Sequence, residues 1–152
     1  MMVDWIQVKG KVKQGYGVAS GKSGDPRFPK GTLELQKPLF HERGLNLDGY
    51  YVGTINLSIA PYQYKIKNPK CTFRQVKWSP ENPAEDFSFF DCRIVTDSNH
   101  RLNGLIYYPH PETKPEHFQS PDILEIITFP LEDLNDGDEL MIEVNSEQMT
   151  IH

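Results

Sequence analysis

A chain of 152 residues is long enough to bury the core of one domain and short for two, so 1–152 is read as a single domain. Twelve prolines and eleven glycines break it into short apolar runs with almost no helical period, which predicts a mainly β fold with long loops. The net charge of −5 divides unevenly, with all 16 Lys and Arg in residues 1–114 and none beside the 10 acids of 115–152; a negative total disfavours duplex binding, and no nucleic-acid partner is expected.

The N-terminal Met1-Met2-Val3-Asp4-Trp5 lacks the basic and apolar regions of a signal peptide. No run approaches the roughly 20 apolar residues needed to cross a bilayer, so no membrane partner and a cytoplasmic location are expected. Ile6, Val8, Gly10 and Val12 then alternate with Gln7, Lys9, Lys11 and Lys13, a first strand with a lysine face. That face is either solvated or leans one lysine over an anion at the strand's end.

Gly15-Tyr16-Gly17-Val18-Ala19-Ser20-Gly21-Lys22-Ser23 follows. Its glycine spacing fails the P-loop pattern, which needs four residues before Gly-Lys-Ser/Thr. Gly15, Gly17 and Gly21 still allow positive φ, so successive N–H groups can converge on an anion, with Lys22, Arg27 and Lys30 in reach; a plain surface loop is the other reading. A short helix is predicted over 33–44, with Pro38 in its first turn, Gly44 as its C-cap, Leu39 and Phe40 inward and His41 on the surface.

The most informative run comes next. A turn at Gly49 feeds a strand in which Ile55, Leu57 and Ile59 face a core and Thr54, Asn56 and Ser58 face away. Thr54 and Asn56 then lie roughly 7 Å apart on one face, a hydroxyl and an amide oxygen placed to share one hard cation and its phosphate ligand; a wet edge strand is the other reading. Residues 62–86 show two short strands, at 62–66 and 71–76, and no visible chemistry. Strands over 87–96 and 102–108 meet through a turn at 97–100. The proline-rich 109–118 holds His110 and His117 seven apart, too loosely spaced for a zinc site. In Asp122-Ile123-Leu124-Glu125-Ile126-Ile127, alternation puts Glu125 on the face of Ile123 and Ile127, either a carboxylate beside apolar surface that needs hydrogen-bond donors or a charge at the strand's rim. An Asp136-Gly137 turn and a closing strand over 140–144 complete the chain, and Cys71 and Cys92 read as reduced core thiols.

In this order the blocks resemble the archaeal CTP-dependent riboflavin kinases. Val8-Lys9-Gly10-Lys11-Val12, the Gly15-Tyr16-Gly17 loop, the helix ending near Gly44-Leu45 and Gly53-Thr54-Ile55-Asn56-Leu57 match the first half of that family, the last being its Gly-Thr-Leu-Asn signature. Leu102 to Pro109, Asp122 to Ile127 and Leu134-Asn135-Asp136-Gly137-Asp138 match the second half, leaving an insertion at 62–86 outside. The resemblance implies a single six-stranded cradle-loop β-barrel with one short helix and long loops. It also implies transfer of the γ-phosphate of CTP or another nucleoside triphosphate to riboflavin, giving FMN, with Mg²⁺ on Thr54 and Asn56. Gly15, Tyr16, Gly17, Gly21 and Lys22 are carried over as the nucleotide loop, Glu125 as the acid that binds the flavin, and Thr113 as its companion on the preceding loop.

The family's loop runs Gly-x-Gly-Glu-Gly-Arg, whereas here Val18-Ala19-Ser20-Gly21 follows Gly17. A module of the same fold that binds a flavin or nucleotide without catalysis is therefore the alternative expectation.

Overall fold

The computed structural model describes residues 4–13, 32–50, 54–78, 80, 83–96, 100–112, 120–128 and 137–152; the side chains of 32–34 stand outside this set. The fold is mainly β. In chain order the elements are β1 (Trp5–Lys13), α1 (Thr32–Glu42), β2 (Ile55–Ser58), β3 (Tyr64–Ile66), β4 (Cys71–Val76), β5 (Glu85–Val95), β6 (Arg101–Pro109), β7 (Ile123–Ile127), β8 (Glu139–Asn145) and β9 (Met149–Ile151). Among the described residues no helix is long and apolar enough to cross a membrane.

Six strands pair in sequence β1-β2-β7-β6-β5-β8 and back to β1, each pair antiparallel, so their hydrogen bonds close into a ring. Every strand of the ring sends an apolar residue to one cluster, among them Val8, Leu57, Phe90, Ile106, Ile126 and Val144. The alternation predicted for β1 holds: Val8 and Gly10 are buried, and Gln7, Lys9, Lys11 and Lys13 are exposed. Gly10 is required where β1 crosses β2, since a Cβ there would lie 2.6 Å from both Leu57 Cγ and the Ser58 carbonyl oxygen.

Along one edge β5 changes neighbours, pairing with β4 over Glu85–Phe89 and with β8 over Cys92–Val95. Asp91 falls between the two ladders. Its N–H donates to Gln148 Oε1 (2.7 Å), Gln148 Nε2 donates to Asp91 Oδ2 (2.8 Å), and Lys70 Nζ stands 3.2 Å from Oδ1. One glutamine in the turn before β9 thus fills the step in the sheet, as a buried backbone donor needs.

A second cluster forms on the opposite face of β5 and β6, where α1 lands. Phe40 is fully buried, edge-on to Phe87 and Phe89 at centroid distances of 5.2 and 5.1 Å, and stacked on Phe73 at 5.8 Å. Leu45, Leu47, Val76, Trp78 and Tyr107 complete its walls, and the Trp78 indole donates to Glu85. Gly44 ends the helix in the left-handed region (φ 102°), as predicted. Pro38 does not stand in the first turn: the helix starts at Thr32, which puts Pro38 inside it, where it supplies no N–H to the ladder.

Cys92 is buried in the ring cluster, and Cys71 on β4 is partly buried against the second cluster; both are free thiols. The chain does not end on the strand predicted over 140–144, since β9 follows it. β9 pairs with β3 and together they form a two-stranded sheet. The segment 62–86 therefore supplies β3, β4 and the start of β5.

Candidate functional site

Antiparallel pairing fixes which side chains share a face, because directly opposed residues project the same way. Lys13 on β1 opposes Asn56 on β2, Asn56 opposes Glu125 on β7, Glu125 opposes Tyr107 on β6, and Tyr107 opposes Phe89 on β5. These five residues make one transverse row, running from exposed Lys13 through partly buried Asn56 to Glu125, Tyr107 and Phe89, which are 7%, 3% and 0% exposed. Thr54 joins it diagonally: its hydroxyl donates to Glu125 Oε1 at 3.3 Å.

Three residues predicted from separate stretches, Thr54, Asn56 and Glu125, are thus brought together. The face they occupy is not the wet one that a simple edge strand would present. Ser58, the next residue on it, is also buried, and Glu125 is closed in by two neighbouring strands. Glu125 lies beside apolar Ile127 as alternation predicted, and the Thr54 hydroxyl meets part of its need for donors.

Two buried partners carried no legible sequence signal. Tyr107 donates from its hydroxyl to Gln36 Oε1 at 2.6 Å, so a fully buried glutamine of α1 ties the helix to the row. Gln36 Nε2 is buried with no hydrogen-bond partner among the described residues. The Tyr107 phenol is pushed well above its ordinary range, first by burial and then by the negative charges of Glu125 and Glu85. Burial likewise raises Tyr64, with Tyr108 and Glu125 adding to it. Both phenols stay protonated at neutral pH, and Tyr107 serves as a hydrogen-bond donor to Gln36.

A cavity of about 380 Å³ adjoins the row. It forms where β6 and β7 part: their pairing ends at Tyr107 and Glu125, and the diverging ends, Tyr108 and Pro109 on one strand and Leu124 and Ile123 on the other, line it with β3 as a further wall. The other predicted positions, Gly15, Tyr16, Gly17, Gly21, Lys22 and Thr113, lie outside the described residues. In the sequence Gly15 comes two residues after Lys13, the residue opposite Asn56.

No family model, curated protein or solved structure matches the chain. Its chemistry therefore rests on the row itself. The Thr54 hydroxyl and the Asn56 amide are hard oxygen donors, of the kind that suits Mg²⁺. Among the described residues no three or more His, Cys, Asp or Glu gather as a metal site. A soft-metal centre finds no support there, and a magnesium ion held by few protein ligands, with phosphate oxygens and water completing its shell, is compatible with the donors present.

Proposed function

We propose that this protein is a riboflavin kinase-like phosphotransferase that moves the γ-phosphate of a nucleoside triphosphate, CTP or another, to riboflavin and releases FMN. The observation that carries the reading is the meeting of Thr54, Asn56 and Glu125 on one face of β2 and β7, the residues that the family resemblance singles out from stretches 71 positions apart. The closed ring of six antiparallel strands supports it as well, being what a cradle-loop barrel requires.

In this reading Thr54 and Asn56 hold Mg²⁺, which would neutralise charge on the transferring phosphate. Glu125 accepts a hydrogen bond from the N–H edge of the flavin ring and orients it. Lys13, at the exposed end of the row, adds a positive charge, and backbone N–H groups of the glycine stretch that follows it in sequence would bind the phosphates. For a loose, metaphosphate-like transfer, positioning and charge neutralisation supply most of the acceleration, and a strong general base is not required.

The test is to incubate the protein with riboflavin, Mg²⁺ and, separately, CTP, ATP, GTP and UTP, then separate the flavins. FMN from any donor is the expected result, and its absence with all four would overturn the kinase reading. The altered glycine stretch, with Val18-Ala19-Ser20 where the family has Glu-Gly-Arg, favours a second reading, a flavin- or nucleotide-binding module without catalysis. Flavin binding without FMN formation would select it.

A further inference from the structure

The cavity between the parting ends of β6 and β7 is bounded by a strand for which the family resemblance has no counterpart. β3 lies in the insertion at 62–86, and Tyr64, Lys65 and Ile66 all line the cavity. The strand is anchored on both sides. It pairs with β9 through Tyr64, Lys65 and Ile66, and the Tyr64 N–H donates to the Pro121 carbonyl at 3.0 Å, in the turn that enters β7. The Tyr64 ring meets Tyr108 at a centroid distance of 6.3 Å and an interplanar angle of 89°, so two aromatic walls stand at right angles. Tyr108 is in turn braced edge-on by Phe90 and His110.

The rest of the lining chooses the ligand class. Ile66, Ile106, Ile123 and Leu124 are apolar, and prolines stiffen the rim. Glu125 is also among the lining residues, and its negative charge, close enough to help raise the Tyr64 phenol, disfavours an anion beside it. The volume of about 380 Å³ falls within the roughly 300–1,000 Å³ of small-molecule sites. A flat, uncharged ring fits the aromatic and apolar walls and the charge of Glu125, with Lys65 the cationic member of the lining.

We infer that β3 is a specificity element: Tyr64 forms an aromatic wall that holds the conjugated ring of the ligand in the cavity beside Glu125. This rests on the flavin reading for the identity of the ring, not for the existence of the wall. Tyr64 is a positioning residue, acting on where the ring lies and not on phosphate transfer.

The probe is lumichrome, the tricyclic ring without its ribityl chain, which has no hydroxyl chain to phosphorylate and so reports on the cavity alone. Binding by fluorescence quenching is expected in the wild type, unchanged in Tyr64→Phe and about tenfold weaker in Tyr64→Leu. With riboflavin as substrate, Tyr64→Leu should raise KM by the same factor and leave kcat nearly unchanged. Should Tyr64→Leu fold poorly, nuclear Overhauser contacts between lumichrome and the Tyr64 ring in the wild type decide the matter, and their presence is the expected result. Failure of the wild type to bind lumichrome overturns the inference, as does full-strength binding by folded Tyr64→Leu. FMN formation with an indifferent Tyr64 would sink the wall and leave the kinase standing; Tyr64-dependent lumichrome binding without FMN from any nucleotide would do the reverse.

Discussion

Thr54 and Asn56 stand two apart on one face, Asn56 opposes Glu125 on the adjacent strand and the Thr54 hydroxyl donates to it, so the proposed metal pair and the proposed flavin acid are neighbours. Thr54→Ala and Asn56→Ala should each lower FMN turnover about a hundredfold, while the melting temperature moves little because both side chains lie off the ring cluster. Steady-state kinetics and thermal melts measure the two effects. Glu143 shows a different use of a buried carboxylate. Arg101 donates to it at 2.9 and 3.3 Å, Gln7 at 3.1 Å, and Arg93, whose guanidinium lies 3.9 Å over the Trp5 ring, stands 3.0 Å away. The Arg101 bond above all, with Gln7 and Arg93 behind it, holds the Glu143 carboxyl below its usual value of 4.5. A folded value below the unfolded one adds stability that is complete above the unfolded value and is lost as pH falls through the folded one. Glu143→Gln should therefore cost about 1.5–3 kcal/mol at neutral pH and flatten the acid limb of stability. Urea midpoints across about pH 7 to 2 test this, and an equally steep acid limb in the variant would exclude Glu143 as its source.

Individual strands were legible wherever one face is buried and the other wet. In β1 the period-two alternation of Val8, Gly10 and Val12 with lysines could be read directly, because each residue's environment is set by its neighbours two away. In β2 and β7 the same rule placed Thr54, Asn56 and Glu125 on their faces, but it could not show that those faces are neighbours or that Tyr107 and Gln36 close over them. Such pairings join residues about 70 positions apart, and no local pattern encodes them. β9 escaped notice because three residues carry too little periodicity, and its reason for being a strand is β3. Gly10 shows an element's demand on one position. Gly10→Ala would press a methyl group against the Leu57 side chain and, less forgivingly, the Ser58 carbonyl. The expected loss is about 1–3 kcal/mol, seen as a lower urea midpoint with an unchanged slope. An unchanged midpoint would mean that β1 and β2 can separate at no cost.

In the molecule as a whole β5 is the strand most enclosed, bonded along one edge to β6 and along the other to β4 and then β8. Its amides from Phe89 to Ile94 should exchange with solvent most slowly, and those of β3 and β9, a two-stranded pair, sooner. Hydrogen exchange followed residue by residue gives the order, and slower exchange in β3 than in β5 would contradict a fold that opens from its periphery. Composition and alternation were enough to establish a β-rich chain, its principal strands, the helix with its glycine stop, and the faces on which Thr54, Asn56 and Glu125 lie, because these depend on interactions within a few residues. Closure of the ring, the switch of β5 between neighbours, the row from Lys13 to Phe89 and the cavity walled by β3 were decided only in the tertiary structure. Each of them depends on strand register, and register is settled by which distant apolar faces pack together and leave no backbone donor unpaired.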